Sequence, residues 1–178
     1  MFWCITLTIC LAVQVIKFTG PAMAPLLNSR STKDTSSFEF LLAHRIIAPS
    51  QENVLKGDIV AFKPPLPSAE ESALMVRRVS AQGGELLESD TAQHELAPDT
   101  VWVTADNAEL EPPHVEDSRT FGPVQLDSVV GRCIYAVRSR ADRDYVENNE
   151  KWRALDRDVV SVELTDKLLD ELASDAAV

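Results

Sequence analysis

Cysteine and histidine are scarce in this chain of 178 residues, with three of each. Cys4 and Cys10 fall in an apolar N-terminal run and Cys133 in a stretch with strand character. No Cys-x-x-Cys pair exists and the count is odd, which argues against a disulfide framework and against a zinc site. His44, His94 and His114 stand apart in polar or loop-like sequence and read as surface residues. No cofactor and no metal are expected. Positive charge is also short: 17 Lys and Arg face 28 Asp and Glu, giving a net charge of −11. Nucleic acid is thereby an unsuitable partner, because phosphate binding needs a basic footprint. No internal repeat and no low-complexity segment is present.

Length and a hydrophobic content of 45% suit one domain with appendages and a sizeable core. Residues 1–18 (MFWCITLTICLAVQVIKF) carry no charge before Lys17. A bilayer core needs about 20 mostly apolar helical residues, with about 17 as the lower limit. The run therefore reads as a membrane anchor helix. A cleaved signal peptide competes, since Ala22-Met23-Ala24 is small-x-small, although a proline follows and a basic n-region is missing. A short buried core helix is the third option. Lys17, Arg30 and Lys33 on the C-terminal side give only a weak guide to orientation.

Beyond a polar segment from Asn28 to Ser37, short apolar runs alternate with turn signals. Phe38 to Ile47 is mixed apolar and starts a strand. Ile59 to Phe62 is a short buried-type strand after the Leu55-Lys56-Gly57-Asp58 turn. Pro64, Pro65 and Pro67 break it. Ala73 to Ser80 is a strand ended by Gly83-Gly84, Val101 to Thr104 another, and Val129 to Val137 a longer one with Gly131 at a bulge. Short strands with few helix patterns imply a mainly β, antiparallel domain over residues 19–139. Residues 140–178 form an acidic, partly helical tail. Thr165 caps a helix carrying Leu168, Leu169 and Leu172, with Leu164 as a staple. Its leucine face packs on its own domain or on a partner.

Several segments carry a resemblance. Gly20-Pro21-Ala22-Met23-Ala24-Pro25 resembles the nucleophile box Gly-x-Ser-Met-x-Pro of the type I signal peptidase family. Gly57-Asp58-Ile59-Val60 is similar to its Gly-Asp-Ile-Val segment, and Val76-Arg77-Arg78-Val79 to its Lys-Arg-Val general-base box. Asp106-Asn107 resembles its Gly-Asp-Asn segment. Asp117-Ser118-Arg119-Thr120-Phe121-Gly122-Pro123-Val124, with Gly131-Arg132 after it, resembles the mitochondrial inner membrane protease branch most. Five matches in the family's order over residues 19–138 make chance a poor explanation. The tail lies outside the resemblance.

The resemblance implies a signal-peptidase-like β domain with an N-terminal transmembrane helix. It also implies a serine–lysine dyad, in which a hydroxyl attacks and a neutral lysine takes its proton. Here the nucleophile position is Ala22, which has no hydroxyl, and the base position is Arg77. A buried lysine titrates near neutrality, whereas a guanidinium, with a pKa above about 12, is effectively never neutral. The serine that supports the lysine in the family corresponds to Val115. Ala22 and Arg77 are therefore degenerate positions and no catalytic residue is expected. Met23, Pro25, Arg78, Asp106, Asn107, Asp117, Ser118, Arg119 and Gly122 read as structural remnants of the site. A relocated site using Ser29, Ser31 or Ser80 with Lys56 or Lys63 has no sequence support.

The expectation is a membrane-anchored, inactive homologue serving as an accessory subunit of an inner-membrane complex. Its partners are the membrane, other subunits including an active protease, and an extended peptide held by strand addition. The alternative is an active serine-type endopeptidase that processes presequences. By resemblance the compartment is the mitochondrial inner membrane, single-pass, with the β domain on the intermembrane-space side. A thylakoid or bacterial-type membrane is the other option.

Overall fold

In a computed structural model, residues 12–34, 36–65, 74–88, 93–139 and 141–163 are described. They build ten strands: β1 (Val13–Thr19), β2 (Phe38–Arg45), β3 (Ile59–Phe62), β4 (Met75–Gln82), β5 (Leu86–Glu88), β6 (Gln93–Glu95), β7 (Thr100–Thr104), β8 (Val124–Gln125), β9 (Val129–Val137) and β10 (Arg143–Tyr145). Two helices join them, α1 (Ser118–Phe121) and α2 (Arg153–Glu163). The main sheet runs β1-β2-β9-β3-β4-β7-β8, antiparallel throughout, and β5 and β6 pair separately. The expectation of a mainly β, antiparallel architecture holds.

β9 is the hub. One of its edges carries β2, and the other is shared by β3 at Val129–Arg132 and β10 at Tyr135–Val137. Both long pairings slip register, at Leu42/Ala43 and at Ala61/Phe62. Gly131 sits beside the second slip, where a Cβ would lie 2.5 Å from the His44 carbonyl oxygen. Only glycine permits that approach.

β3 shows why the core has two layers. Successive side chains of a strand leave on opposite faces. Ile59 and Ala61 join Ile16, Phe18, Met23, Leu41 and Val76, while Val60 and Phe62 join Val79, Val101, Val103 and Val124. All four β3 residues are fully buried. A fully buried Val, Ile or Phe contributes roughly 1.5–3 kcal/mol relative to exposure.

The expected anchor helix over 1–18 needs correction in its second half. Val13–Thr19 is strand β1, paired residue by residue with β2 from Val13–His44 to Thr19–Phe38. Ile16 and Phe18 turn inward while Lys17 and Thr19 face out, a two-residue period with β-branched support at Val13, Val15 and Ile16. Residues 1–11 lie outside the described residues. Among the described residues no helix is long and apolar enough to cross a membrane. His44 is half-buried in β2, between the surface placement expected and the core.

The described part of the C-terminal segment is bound to the sheet. Asn148 accepts from the Ile59 N–H at 2.8 Å and donates to the Cys133 carbonyl at 2.7 Å. Buried Asp58 accepts from the Asn149 N–H and from Trp152 Nε1, both at 3.1 Å. Val160 of α2 packs with Leu42, Ile134 and Val137. The helix expected after Thr165 lies outside the described residues.

Candidate functional site

The loop after β1 holds the nucleophile position. Gly20 takes φ +84°, a region glycine occupies at little cost, and starts the turn. Ala24 N–H donates to the Pro21 carbonyl at 3.0 Å, and Leu27 N–H to the Met23 carbonyl at 2.9 Å. Met23 and Leu27 are fully buried and pin the loop to the core, whereas Ala22 is half-buried and Pro25 exposed. Asn28 closes the loop. It has φ 48°, its N–H donates to Glu39 Oε1 at 2.8 Å, and its side chain donates to the Gly20 and Ser37 carbonyls. Arg138 Nη2 donates to the Leu26 carbonyl at 3.0 Å, and its Nε lies 2.9 Å from Glu39 Oε2. Burial pushes the Glu39 carboxyl up, and Arg138 opposes that. Asn28, Glu39 and Arg138 had no signal in the sequence, because β2 and β9 bring them together from distant positions.

Arg77 occupies the base position on β4 and is 7% exposed. Its Nε donates to the Glu116 carbonyl at 2.9 Å and its Nη1 to the Val76 carbonyl at 2.7 Å. Burial pulls its pKa down, while the charges of Asp117 and Glu116 act the other way. It remains a cation at any physiological pH. Among the described residues no carboxylate lies within ion-pair distance of it. Val115, at the supporting-serine position, is buried, and its carbonyl accepts from Thr120 Oγ1 at 2.7 Å.

Arg78 leaves on the opposite face. It grips Asp106 bidentately, at 2.8 and 2.7 Å, and Nη1 donates to the Gly57 carbonyl at 2.7 Å. Asp106 thus fixes the start of the loop that presents Asn107. Asn107 donates from its backbone N–H to the Ala22 carbonyl and from Nδ2 to the Pro21 carbonyl.

Asp117 caps α1 and is fully buried. It accepts from the N–H groups of Ala105 and Arg119, both at 3.0 Å, and from Arg119 Nη2 at 2.7 Å. Burial alone would raise its carboxyl, but the bonds from Arg119 and Ala105 outweigh it and hold the pKa below the usual value. Ser118 Oγ accepts from the Val103 N–H at 2.9 Å. Gly122, at φ +84°, donates to the Ser118 carbonyl and ends the helix. These contacts stitch α1 to β7 and set Glu116 beside Arg77.

Arg77 borders a cleft. Lys17, Phe18 and Thr19 of β1 form one wall, Leu74, Met75 and Val76 the other, and Arg77 and Glu116 close it, enclosing ≈ 250 Å³. Among the described residues, β1 pairs with β2 alone, and Met75–Arg77 pair with β3 alone, since the pairing with β7 starts at Arg78. Two free strand edges therefore border one cleft. Of the other serine candidates, Ser31 Oγ donates to the Asn28 carbonyl and Ser80 Oγ to the Trp102 carbonyl, Ser29 is exposed, and Lys56 pairs with Glu85 at 3.0 Å. Among the described residues no cluster of three His, Cys, Asp or Glu is arranged to hold a metal ion.

No protein-family model matches the chain. Individual relatives do. The chain is 34% identical over 157 residues to the mitochondrial ATP-independent inner membrane protease subunit 2 of Arabidopsis thaliana, covering 86% of this chain and 70% of that protein. It is 26% identical over 129 residues to the mitochondrial inner membrane protease subunit 2 of Saccharomyces cerevisiae, covering 70% and 68%. With the relatives' identity spread over most of both chains and the site's boxes in the family's order, the chain belongs to the type I signal peptidase family, among the mitochondrial inner membrane protease subunits.

Proposed function

We propose that this chain is a catalytically inactive member of its family that binds an extended peptide and serves as an accessory subunit of an inner-membrane complex. The observation that carries this is the state of the base position. Arg77 is a permanent cation tied to two backbone carbonyls, and the nucleophile position is Ala22 with no hydroxyl. Acyl transfer by this family's route needs a nucleophile and a group able to take its proton. Neither position supplies one. The cleft between the edges of β1 and β4 keeps what strand addition requires, namely backbone groups unpaired among the described residues.

The relatives' names place them at the mitochondrial inner membrane as protease subunits. The proposal extends that compartment to this chain, with the β domain on the intermembrane-space side. An active protease subunit is the expected partner. The second reading, an active presequence endopeptidase, is favoured by those same names. To separate the two, the tagged full chain is solubilised in mild detergent, its co-purifying proteins are identified, and pure protein is assayed on a presequence peptide. The proposal expects a co-purifying catalytic subunit and no cleavage by the pure chain. Cleavage by the pure chain, unaffected by inhibitors of contaminating proteases, establishes the endopeptidase instead.

A further inference from the structure

We propose that Arg77 makes the closed end of the β1–β4 cleft a receptor for the C-terminal carboxylate of an extended peptide. The inference rests on the reading of the cleft as a peptide-binding groove that does not cut, and it names the ligand's reactive end.

In an antiparallel strand the backbone groups of alternate residues point to opposite edges. Val79 exchanges hydrogen bonds with Gly57 and Asp58, next to β3. Val76, three residues earlier, therefore aims its N–H and carbonyl away from β3, toward the cleft. Arg77 Nη1 donates to that Val76 carbonyl, so the guanidinium lies beside the free edge, in the path of an added strand. Its Nε reaches across to the Glu116 carbonyl. The side chain thus bridges the β4 edge and the loop before α1, and bars the groove at that point.

A peptide lying along the edge therefore stops at Arg77. Its side chains leave above and below the strand plane, while its chain end runs on into the guanidinium. With Nε and Nη1 engaged, Nη2 has no partner among the described residues. Arg77 is buried and no carboxylate lies within ion-pair distance of it among the described residues, so a ligand carboxylate that reaches Nη2 gains a charge-assisted bond. The Asp117 charge acts on Arg77 from beyond ion-pair distance and is itself paired with Arg119. Lys17 Nζ sits 3.9 Å over the Phe38 ring, and Glu116 is exposed at the mouth, offering its carbonyl to Arg77. The Val76 carbonyl still has a second lone pair for a peptide N–H.

The test uses the full chain in mild detergent and one apolar nonapeptide in three forms: free C-terminal acid, C-terminal carboxamide, and carboxamide with Glu as last residue. Binding is read by fluorescence anisotropy. The free acid should bind at least about tenfold tighter than the carboxamide, the usual worth of a hydrogen bond to a charged group. The glutamyl carboxamide should behave as the carboxamide. In Arg77→Met the preference of acid over carboxamide should vanish, with the denaturant midpoint of the variant reporting separately that it is folded. Equal affinity of acid and carboxamide in the unaltered protein overturns the carboxylate receptor but leaves peptide binding in place. A glutamyl carboxamide as tight as the free acid overturns the terminal assignment. Binding of none of the three overturns the inference together with the peptide-binding reading beneath it.

Discussion

The backbone N–H of Asn107 donates to the Ala22 carbonyl at 3.0 Å, and its side-chain amide donates to the Pro21 carbonyl at 2.9 Å. One residue thereby holds two successive peptide units of the nucleophile-position loop. Its Oδ1 meanwhile accepts from the Glu109 N–H at 3.0 Å. Asn107→Leu removes two of these three bonds; the Pro21 carbonyl keeps the Ala24 N–H, while the Glu109 N–H loses its side-chain partner. A loss of about 1–3 kcal/mol is expected in denaturant unfolding. Hydrogen exchange should rise at Ala24, whose N–H bond closes the same turn. Unchanged exchange there would mean that Met23 and Leu27 alone fix the loop.

The missing dyad gives a second prediction. Ala22→Ser alone should stay inactive, because Arg77 cannot take a proton. Arg77→Lys alone should stay inactive for want of a hydroxyl. Together they should restore slow cleavage of a presequence peptide, about 10²-fold or more above Ala22→Ser, the usual contribution of a positioned base. Mass spectrometry of the products reads the outcome. A folded double variant with no product would show that the cleft has diverged beyond the two dyad positions.

What the sequence revealed here follows from range. Ile59–Phe62 and Val129–Val137 were legible because β-branched runs stand between turn signals. β1 was not, because its two-residue alternation lies inside a longer apolar run that a membrane helix would also explain. Asp117 and Arg119 are two residues apart, so their pairing was readable locally. Ala22 and Arg77 were found through the order of the family's boxes. Asn28, Glu39 and Arg138 were invisible, since their meeting depends on the β2–β9 register. The grip of Asp58 on Asn149 and Trp152 spans more than ninety residues and had no local trace either.

Asp117 should shape the acid limb of stability. Its folded pKa is held below the unfolded value of 3.8. Its contribution is therefore fully present above that value and is lost as pH falls through the folded pKa. Asp117→Asn should cost about 1–3 kcal/mol at pH 7. The gap to the unaltered protein should narrow as pH falls through the folded pKa of Asp117. Glu39 has the opposite sign. Its folded pKa is raised above 4.5, so its contribution is present below that pH and lost as pH rises through the folded value. Glu39→Gln should remove that second limb. Denaturant titrations between about pH 2 and 7 distinguish the two slopes. A gap for Asp117→Asn that stays constant with pH would place its role in shape, not charge.

Arg132 and Asp156 form an ion pair at 2.6 Å, with side chains only 3% and 7% exposed. Trp152 lies with its ring 4.5 Å from the Arg132 guanidinium. The pair joins the hub strand β9 to α2, the element that covers Leu42, Ile134 and Val137 through Val160. Desolvating both charges consumes most of their attraction, so the intact pair adds little net stability. Breaking it is another matter. Asp156→Ala leaves Arg132 buried, charged and unpaired, and should cost about 3–5 kcal/mol. The double change Arg132→Met with Asp156→Leu should recover most of that loss. Two-state denaturant unfolding measures both variants, and protease nicking near Arg157 reports whether α2 has come away. If Asp156→Ala unfolds with the unaltered midpoint and α2 stays protected, then Val160 and the Trp152–Asp58 bond hold the helix without the ion pair.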